Sequence, residues 1–426
     1  MSACGARRRC SPYDRANADN VSAAIPRDQG LPQIAVLLDA DAMATRLARS
    51  LGYDEPLVAV DVRYIRYRPG KNLCVHYVVQ VGGTEQHAVA MASSKYDLSL
   101  DAADPAYDSR IALVAGRAPT TRPLLYDAEA GALLQWLPFD IDMPALAEPP
   151  SALRARLVEC GVDIPADRAG LTLLQYRPRR RVALRLGDHV LKVYRYKRDF
   201  SDGVAGLEAA RRLGGLRTAQ GEAVIGDLRL TAQEWLPGAP PARRSELARE
   251  AGEVLRALHG HKLDGLEPLL PSERLDAAAT AVELVSAIAP ALTQRAQAAL
   301  AELERRQPDP GDALVTSHGD FHGGQLLELP GGAALIDLDL LGAAPAALDL
   351  ANYAGHLIPK DAADIAAAVT VLESLVEGYG SRPRWLEWYL AASILRRSRV
   401  PFRNFEPDWP AQTERMIGAA EAALRL

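Results

Sequence analysis

The spacing of apolar residues changes character along the chain and divides it into three parts. Residues 57–145 and 166–240 alternate short apolar runs with polar turns, which is typical of β-strands and hairpins. Beyond about residue 241 the apolar residues recur at helical spacing, as in 245–261 and 275–307. Further helical patterns follow at 362–378, 384–397 and 410–425. The pattern predicts an α+β fold in which two β-rich units precede a helical lobe.

The two β-rich units resemble each other in sequence. The segments "IRYRPGKNLCVHYVV" (65–79) and "LQYRPRRRVALRLG" (174–187) each place two strand patterns around a Tyr-Arg-Pro turn. Two more matches follow in the same order, 86–91 with 188–193 and 133–140 with 232–239. The last pair shares Trp-Leu-Pro, which is not generic turn chemistry. We therefore favour a duplicated unit over a chance alignment of hairpin signals.

The copies differ at a position where chemistry is expected. The second copy has Lys192 in its third strand, where the sequence match places Ala90 in the first. A helix predicted at 201–216 follows the second copy, and Glu208 is its only acid after the N-terminal cap. An amine on an apolar strand must find an anion, although a lysine that reaches the surface is the alternative. The second copy is predicted to be the working one, and the first a binding or structural module.

Length and patterning together predict the domain organisation. A chain of 426 residues suggests about two to three domains or lobes. The predicted divisions are a disordered tail at 1–30, an N-terminal β-rich module at 31–150, a second β-rich lobe at 151–238 and a helical catalytic lobe at 239–426.

Composition argues against several classes of partner. The net charge is −5 and the isoelectric point about 6.0, so neither nucleic acid nor an anionic membrane is expected as a partner. No run approaches the roughly 18 apolar residues of a membrane span, and the basic N-terminus lacks the apolar core of a signal peptide. The four cysteines lack metal-ligand spacing and are expected to be reduced thiols. A soluble cytoplasmic protein is the expectation, with its oligomeric state left open.

The segment "SHGDFHGGQLLEL" (317–329) combines residues that suit phosphoryl transfer. Asp320 follows a predicted strand, and the Gln325 amide can fold back toward it because two glycines relax the turn. Asp337 ends the next strand, and a short hairpin would bring it beside Gln325. Carboxylate and amide oxygens suit Mg²⁺ with phosphate oxygens and water. Asp320 is then available to accept a proton from an attacking hydroxyl.

Simpler interpretations of single residues stay open at this stage. An isolated aspartate after a strand is commonly a turn or helix cap, and Asp339 can be a cap or a further metal ligand. A zinc site at His318 and His322 is weakly indicated, because nothing nearby supplies a third nitrogen or sulfur ligand. The whole motif with its spacing favours a catalytic function over these separate explanations.

The segment 317–353 resembles the signature of the aminoglycoside phosphotransferase and choline kinase superfamily. The resemblance implies a bilobal protein-kinase-like fold, with 151–238 as its small lobe, 31–150 as a degenerate copy of that lobe, and ATP and Mg²⁺ as cofactors. It implies that Asp320 is the catalytic base and that His318 braces the catalytic loop, while His322 matches the second histidine of that loop. Asp349 resembles the acid that ties this loop to the helical lobe.

The resemblance also implies a nucleotide site between the lobes. Lys192 matches the lysine that contacts the α- and β-phosphates, with Glu208 as its ion-pair partner. Glu234 and Leu236 would offer backbone groups to adenine. Asp337 and Gln325 would hold the metal. Arg180, in the turn where kinases place a glycine-rich loop, could clamp phosphates or belong to a solvated basic turn.

Two departures from the family pattern bear on activity. Gln325 stands where the family usually has asparagine, and the turn at 178–181 has no glycine. The predicted function is ATP- and Mg²⁺-dependent phosphorylation of a hydroxyl on a small molecule such as a sugar, an aminocyclitol or another natural-product alcohol. The alternatives are a kinase acting on Ser or Thr of a peptide substrate, which the extra module could bind through its sheet edge, and a pseudokinase-like binding protein.

Overall fold

The computed structural model describes residues 25–166, 170–240, 247–309, 311–358 and 364–426. Most of the predicted disordered tail, residues 1–24, lies outside the described residues. The predicted α+β class is confirmed: two antiparallel sheets precede a large helical lobe. The predicted division into domains at 150/151 and 238/239 stays a prediction.

The first sheet contains five strands in the order β1-β2-β3-β5-β4. Its strands are β1 (Val60–Arg68), β2 (Asn72–Val81), β3 (Thr84–Ser93), β4 (Leu124–Asp127) and β5 (Ala132–Trp136). The second sheet has the corresponding order β6-β7-β8-β10-β9. Its strands are β6 (Leu171–Arg177), β7 (Arg181–Leu186), β8 (His189–Tyr194), β9 (Gly221–Ile225) and β10 (Leu230–Glu234). A shared order is what duplication of one unit would produce.

The helices begin on the N-terminal side of the first sheet and then dominate the C-terminal half. They are α1 (Ile34–Leu37), α2 (Ala40–Ser50), α3 (Ser99–Ala103), α4 (Asp108–Val114), α5 (Pro150–Glu159), α6 (Lys197–Ala210), α7 (Ala248–Gly260), α8 (Pro271–Ile288), α9 (Thr293–Arg305), α10 (Ala347–Leu357), α11 (Ile365–Tyr379), α12 (Leu386–Arg397), α13 (Val400–Arg403) and α14 (Trp409–Ala423). No helix in these described parts combines the length and the apolar character that crossing a bilayer requires.

Two helix predictions need correction. The pattern at 275–307 is two helices, because a short 3₁₀ turn at Pro290–Leu292 separates α8 from α9. The helix predicted at 201–216 is α6, which begins at Lys197 and ends at Ala210. The helix therefore begins four residues earlier and ends six residues earlier than predicted.

The first sheet is buried on both faces, which explains the long apolar run of β2. One face, with Val75 and Ala90, packs in the same hydrophobic cluster as Ile288 and Phe402 of the helical lobe. The opposite face packs against the second sheet. The shared hydrophobic cluster includes Cys74, Met91 and Leu133 of the first sheet and Val182 and Leu191 of the second. The two β-rich units therefore share a core and do not fold around separate ones.

The strand ladders correct the sequence match between the copies. Both hairpins close identically, with Arg68 opposite Asn72 and Arg177 opposite Arg181. Counting outward, Cys74 pairs with Met91 and Ala183 pairs with Lys192. Met91, not Ala90, therefore occupies the position of Lys192. The sequence match aligned the histidines and the tryptophans of the two copies, and that alignment is shifted by one residue relative to the strand pairing.

The candidate motif lies on two short hairpin-like pairs inside the helical lobe. Strand β11 (Val315–Ser317) pairs with β14 (Gly342–Ala344), and β12 (Leu326–Leu329) pairs with β13 (Gly332–Leu335). Because both pairs are antiparallel and short, the residues between them converge at one end. Those residues include the segments 318–325 and 336–341.

Candidate active site

Lys192 lies between two carboxylates at the base of the cleft. Its Nζ is 2.7 Å from Asp337 Oδ1 and 2.6 Å from Asp339 Oδ1. The side chain is only 9% exposed, so its charge depends on these partners. Burial opposes the charged form, but the two acids outweigh it and raise the pKa of Lys192. The alternative of a lysine that reaches the surface is thereby wrong.

The predicted ion pair of Lys192 with Glu208 is corrected by this arrangement. Glu208 is exposed on α6, whereas Gly203 and Gly206 of that helix face the site. A Cβ on Gly206 would lie 2.6 Å from the Leu338 carbonyl oxygen, so α6 approaches the 3₁₀ turn Leu338–Leu340 closely. That approach leaves no room for a side chain between the helix and the turn, and the acids come from the turn instead.

Arg181 joins the same cluster, and its contacts with the two acids were not predicted from the sequence. It contacts Asp337 through Nη2 at 3.0 Å and Asp339 through Nη1 at 3.1 Å. Burial would lower its pKa, but both acids raise it. The alternation of side chains along a strand could have predicted these contacts. Arg181 and Ala183 point to the same face of β7, and Ala183 pairs with Lys192 on the neighbouring strand.

Asp337 and Gln325 meet as the hairpin prediction required. Gln325 Nε2 lies 3.3 Å from Asp337 Oδ2. Asp337 has φ 62° and ψ 57°, a left-handed conformation that is uncommon outside glycine and that asparagine and aspartate adopt more readily than other residues. This backbone turn aims the carboxylate back at Lys192. Burial alone would raise the pKa of Asp337, but Lys192 and Arg181 hold it well below its usual range.

Asp339 belongs to the same cluster and is not a helix cap. Besides Lys192 and Arg181 it accepts a hydrogen bond from the Tyr194 hydroxyl at 3.0 Å. Tyr194 lies two residues after Lys192 on β8, so both side chains project from the same face of the strand. The third strand of the small lobe thus supplies two of the three groups that hold this carboxylate.

Asp320 lies on the loop between β11 and the 3₁₀ turn Gly323–Gln325. Its side chain is 35% exposed, and Oδ1 is 3.6 Å from Arg396 Nη2. Burial would raise the pKa of Asp320, but Arg396, His322 and Arg397 together hold it below the ordinary value. The carboxylate is therefore ionised at neutral pH and can accept a hydrogen bond from a hydroxyl.

A buried carboxylate holds this loop in place. Asp349, at the start of α10, accepts hydrogen bonds from the backbone N–H of His318 at 2.8 Å and of Gly319 at 3.0 Å. It also accepts from Ser317 Oγ at 2.9 Å and pairs with His259 Nε2 at 3.0 Å. The predicted role of Asp349, tying the loop to the helical lobe, is confirmed by these contacts.

The two histidines of the motif have different neighbours. His318 is fully buried, and its Nε2 donates to the Ile336 carbonyl at 3.0 Å, which joins the Asp320 loop to the segment that leads into Asp337. His322 accepts from the Gly324 N–H at 2.9 Å through Nδ1 and stacks on His356, with ring centroids 4.0 Å apart. Both histidines shape the loop by these contacts.

The predicted nucleotide-side residues lie at the junction of the lobes. Glu234 ends β10, and its carboxylate accepts from the Gln220 N–H at 3.1 Å and pairs with Arg217. Leu236 is buried in a small apolar cluster with Leu327 and Ala334. Arg180 is exposed, with Nε 3.9 Å from Asp199 Oδ2.

The donor set is suitable for magnesium bound together with phosphate. Asp337 and Asp339 converge on one ammonium, so their oxygens lie near one another, and the Gln325 amide lies beside Asp337. Magnesium usually binds one or two carboxylates and takes its remaining ligands from phosphates and water. The two acids meet that need, whereas Gln325 presents its amide nitrogen to Asp337 and would have to turn its amide to supply an oxygen ligand.

A cavity of about 510 Å³ lies between the two sheets and the helical lobe. Asp320, Asp337 and Asp339 all line it. An anionic triphosphate at Lys192 and a hydroxyl at Asp320 could therefore occupy the same space. The geometry is suitable for transfer of a charged group between two bound molecules.

Comparison with known proteins points in the same direction. Residues 181–389 match the family model described as "Phosphotransferase enzyme family" (APH). No curated protein matches the chain. Similar solved structures include a choline/ethanolamine kinase family protein from Mesorhizobium loti, with 17% identity, 64% of this chain and 95% of that chain covered, and a TM-score of 0.44. A putative aminoglycoside phosphotransferase from Ralstonia eutropha is 15% identical, with 64% of this chain and 98% of that chain covered and a TM-score of 0.45. A macrolide 2'-phosphotransferase from Brachybacterium faecium is 21% identical, with 64% of this chain and 97% of that chain covered and a TM-score of 0.41. With TM-scores below 0.5, these structures supply no residue roles.

Proposed function

Residues 181–389 belong to the phosphotransferase enzyme family, as the motif at 317–353 predicted, and from this premise we propose that the protein transfers the γ-phosphoryl group of ATP to a hydroxyl of a small molecule. The observation that carries the proposal is the pairing of buried Lys192 with Asp337 and Asp339, two acids that line the same cavity as Asp320. A buried ammonium between two acids and a separate ionised aspartate are the parts that phosphoryl transfer needs.

Asp320 orients the acceptor and receives its proton. The acceptor hydroxyl donates to the Asp320 carboxylate, which aligns the oxygen with the γ-phosphorus. As the new P–O bond forms, the bond to the bridging oxygen of ADP breaks and the hydroxyl proton passes to Asp320. Because the pKa of Asp320 is held low, the carboxylate is a weak base, and its main contribution is orientation before the proton moves late in the reaction.

Lys192 and the acids serve the nucleotide side. Lys192 would bind the α- and β-phosphates, Arg180 would add charge at the turn, and backbone groups at Glu234 and Leu236 would bind adenine. Asp337 and Gln325 would hold magnesium, with Asp339 as a further ligand. Bound there, magnesium would neutralise charge on the β- and γ-phosphate oxygens. His318 and His322 would keep Asp320 and Gln325 in position through the loop contacts described above.

The proposal is tested by ADP release across amino sugars, neutral sugars, choline-like alcohols and Ser- or Thr-containing peptides, with Asp320→Asn as the blank. The expected result is release that depends on both acceptor and magnesium in the wild-type protein and falls by about 1,000-fold or more in Asp320→Asn. Magnesium-dependent ATP binding should survive the substitution. Asp202→Asn, a cavity aspartate on α6 outside the motif, is the matched control. Failure of the wild-type protein to bind ATP would refute the proposal.

One observation favours the second candidate, a pseudokinase-like protein that binds ATP without transferring phosphate. Arg181 and Lys192 together already pair with all four carboxylate oxygens of Asp337 and Asp339, so a metal ion must displace some of these contacts. This candidate predicts ATP binding that magnesium does not strengthen, and no acceptor-dependent ADP release. The enzyme predicts the reverse on both counts.

A further inference from the structure

The acceptor side of the cavity is strongly basic. Among the described residues, nine arginines and five aspartates line it. Asp337 and Asp339 are already paired with Lys192 and Arg181. Four of the remaining arginines, at 274, 396, 399 and 403, belong to the helical lobe, and Arg177 ends β6 opposite Arg181. We define the arginine wall as Arg177, Arg274, Arg396, Arg399 and Arg403.

Protein acids balance only part of the positive charge in the arginine wall, and Glu273 Oε2 lies 3.9 Å from Arg274 Nη2. No carboxylate of the described residues pairs with Arg177 or Arg399, and Asp320 is 3.6 Å from Arg396. Arg274 Nε and Arg396 Nη2 are buried without a hydrogen-bond partner in the described parts of the chain. Burial and the neighbouring Arg403 and Arg396 lower the pKa of Arg399 to about 10. Partly buried cations with unused donors are characteristic of a site that awaits an anion.

The N-terminal module contributes to the same end of the cavity. Tyr64 of β1 accepts a hydrogen bond from Arg403 Nη2, and the Arg403 guanidinium lies 5.0 Å from the centre of the Tyr64 ring. Tyr64 and His76 of the first sheet line the cavity with the arginines. The module thus fixes one member of the wall and closes the acceptor side, which gives the extra sheet a role in binding.

We infer that the acceptor is an alcohol that carries an anionic group, a carboxylate, phosphate or sulfate, which Arg399, Arg403 and Arg177 bind while its hydroxyl lies at Asp320. This inference rests on the proposed phosphotransfer and names the substrate class of that same site. Planar guanidinium groups bind such oxyanions through paired hydrogen bonds. A polycationic aminoglycoside would meet repulsion along the whole wall, so the charge of the cavity argues against that class.

The nucleotide does not account for the wall. Its phosphates are assigned to Lys192 and the turn around Arg180, and among the wall arginines Arg177 alone adjoins that turn. The other four arginines of the wall belong to the helical lobe: Arg274 lies on α8, Arg396 on α12, Arg403 on α13, and Arg399 directly before α13. If these arginines bound the triphosphate instead, their removal would weaken ATP binding and leave the acceptor unaffected.

A matched sugar series tests the inference on the full-length protein. Glucose, glucosamine, glucuronate and glucose 6-phosphate share one ring and differ in charge, and an acidic Ser-containing peptide serves as a fifth probe. For each, KM and kcat are measured by ADP release, and binding is measured by titration with a non-hydrolysable ATP analogue present. The variants are Arg399→Met, Arg177→Met and the conservative Arg399→Lys, with the exposed Arg384→Met as control.

The expected result is a KM at least about 10-fold lower for an anionic sugar than for glucose, with glucosamine poorest. Arg399→Met should raise the KM for the anionic sugar by about 10-fold and leave the KM for ATP within about 2-fold, and Arg399→Lys should restore part of the loss. Arg177→Met should also raise the KM for the anionic sugar by about 10-fold. Equal use of all four sugars, a preference for glucosamine, or variants that change only the KM for ATP would overturn the inference.

The binding titration separates this inference from the proposed function. If no probe is phosphorylated above the Asp320→Asn blank, phosphotransfer to these acceptors fails. Anion-selective binding that Arg399→Met abolishes would still support the site, and its absence would refute it. If the peptide were the one probe phosphorylated, and Arg399→Met abolished that activity, the acceptor would be an acidic peptide. That result would overturn the inferred class of small anionic alcohols.

Discussion

The two five-stranded sheets have the same strand order but use one equivalent face in opposite ways. In the second sheet, the face that carries Lys192 is open to the cleft and meets Asp337 and Asp339. In the first, the equivalent face carries Met91 and packs against Val182 and Leu191 of the second sheet. The second sheet therefore fills the space where a nucleotide would lie on the first. One architecture supports a polar site in one copy and a hydrophobic core in the other.

The comparison shows what keeps a buried lysine in the second sheet. A buried ammonium is costly without paired charges, and the partners come from a turn far along the chain. The first sheet has no such turn against its Met91 face, because the back of the second sheet covers it. An apolar side chain at that position is then the favourable choice. Exchanging the two residues separates these explanations.

The largest expected effect is from Met91→Lys. Met91 is 2% exposed and its sulfur is 3.2 Å from Arg179 Nη1, so a new ammonium would be buried beside a cation. Keeping the lysine neutral at pH 7 costs about 4–5 kcal/mol, since its ordinary pKa is near 10.4. Urea denaturation should show a loss of unfolding free energy of that size. Met91→Leu, which conserves volume, should cost less than about 1.5 kcal/mol.

The reciprocal exchange, Lys192→Met, should act on catalysis. Loss of the ammonium leaves Arg181 as the remaining cation on the two acids and removes the group proposed to bind phosphates. We expect kcat/KM to fall by about 100- to 1,000-fold, or about 3–4 kcal/mol of activation free energy. ADP-release kinetics measure this, with the exposed Lys262→Met as control. A variant that keeps more than about a tenth of the activity would remove Lys192 from the proposed site.

A smaller effect is expected where α6 meets the turn that carries Asp339. Gly206→Ala would improve helix propensity by up to about 1 kcal/mol, but the new Cβ would lie 2.6 Å from the Leu338 carbonyl oxygen. Backbone cannot move aside as easily as a side chain, so we expect a net loss of about 1–3 kcal/mol and a reduced kcat. Gly260→Ala, whose Cβ would meet nothing within 4 Å, should be neutral or stabilising. Thermal denaturation of both variants decides the sign.

Local patterns predicted much of the site, and long-range partners were the part that they did not predict. Asp320, Gln325 and Asp337 could be placed together because one short hairpin connects them within the sequence motif. The partners of Lys192 could not, because Asp339 lies 147 residues away and is positioned by the left-handed backbone at Asp337. The arginine wall is partly of the same kind. Arg396, Arg399 and Arg403 are neighbours in the sequence, but Arg177 and Arg274 are far from them along the chain and join them only through the fold.

The smallest expected effect tests the helix acid that the family resemblance singled out. Glu208 is exposed on α6 while Lys192 is paired with Asp337 and Asp339, so Glu208→Gln should change the KM for ATP and kcat by less than about 2-fold. Asp339→Asn is the informative contrast, because it removes one of the two charges on Lys192 and should lower kcat by at least about 10-fold. If Glu208→Gln were the more damaging variant, α6 would have to rotate during catalysis and exchange the acids at Lys192. The contrast between the sheets would then describe only one state of the enzyme.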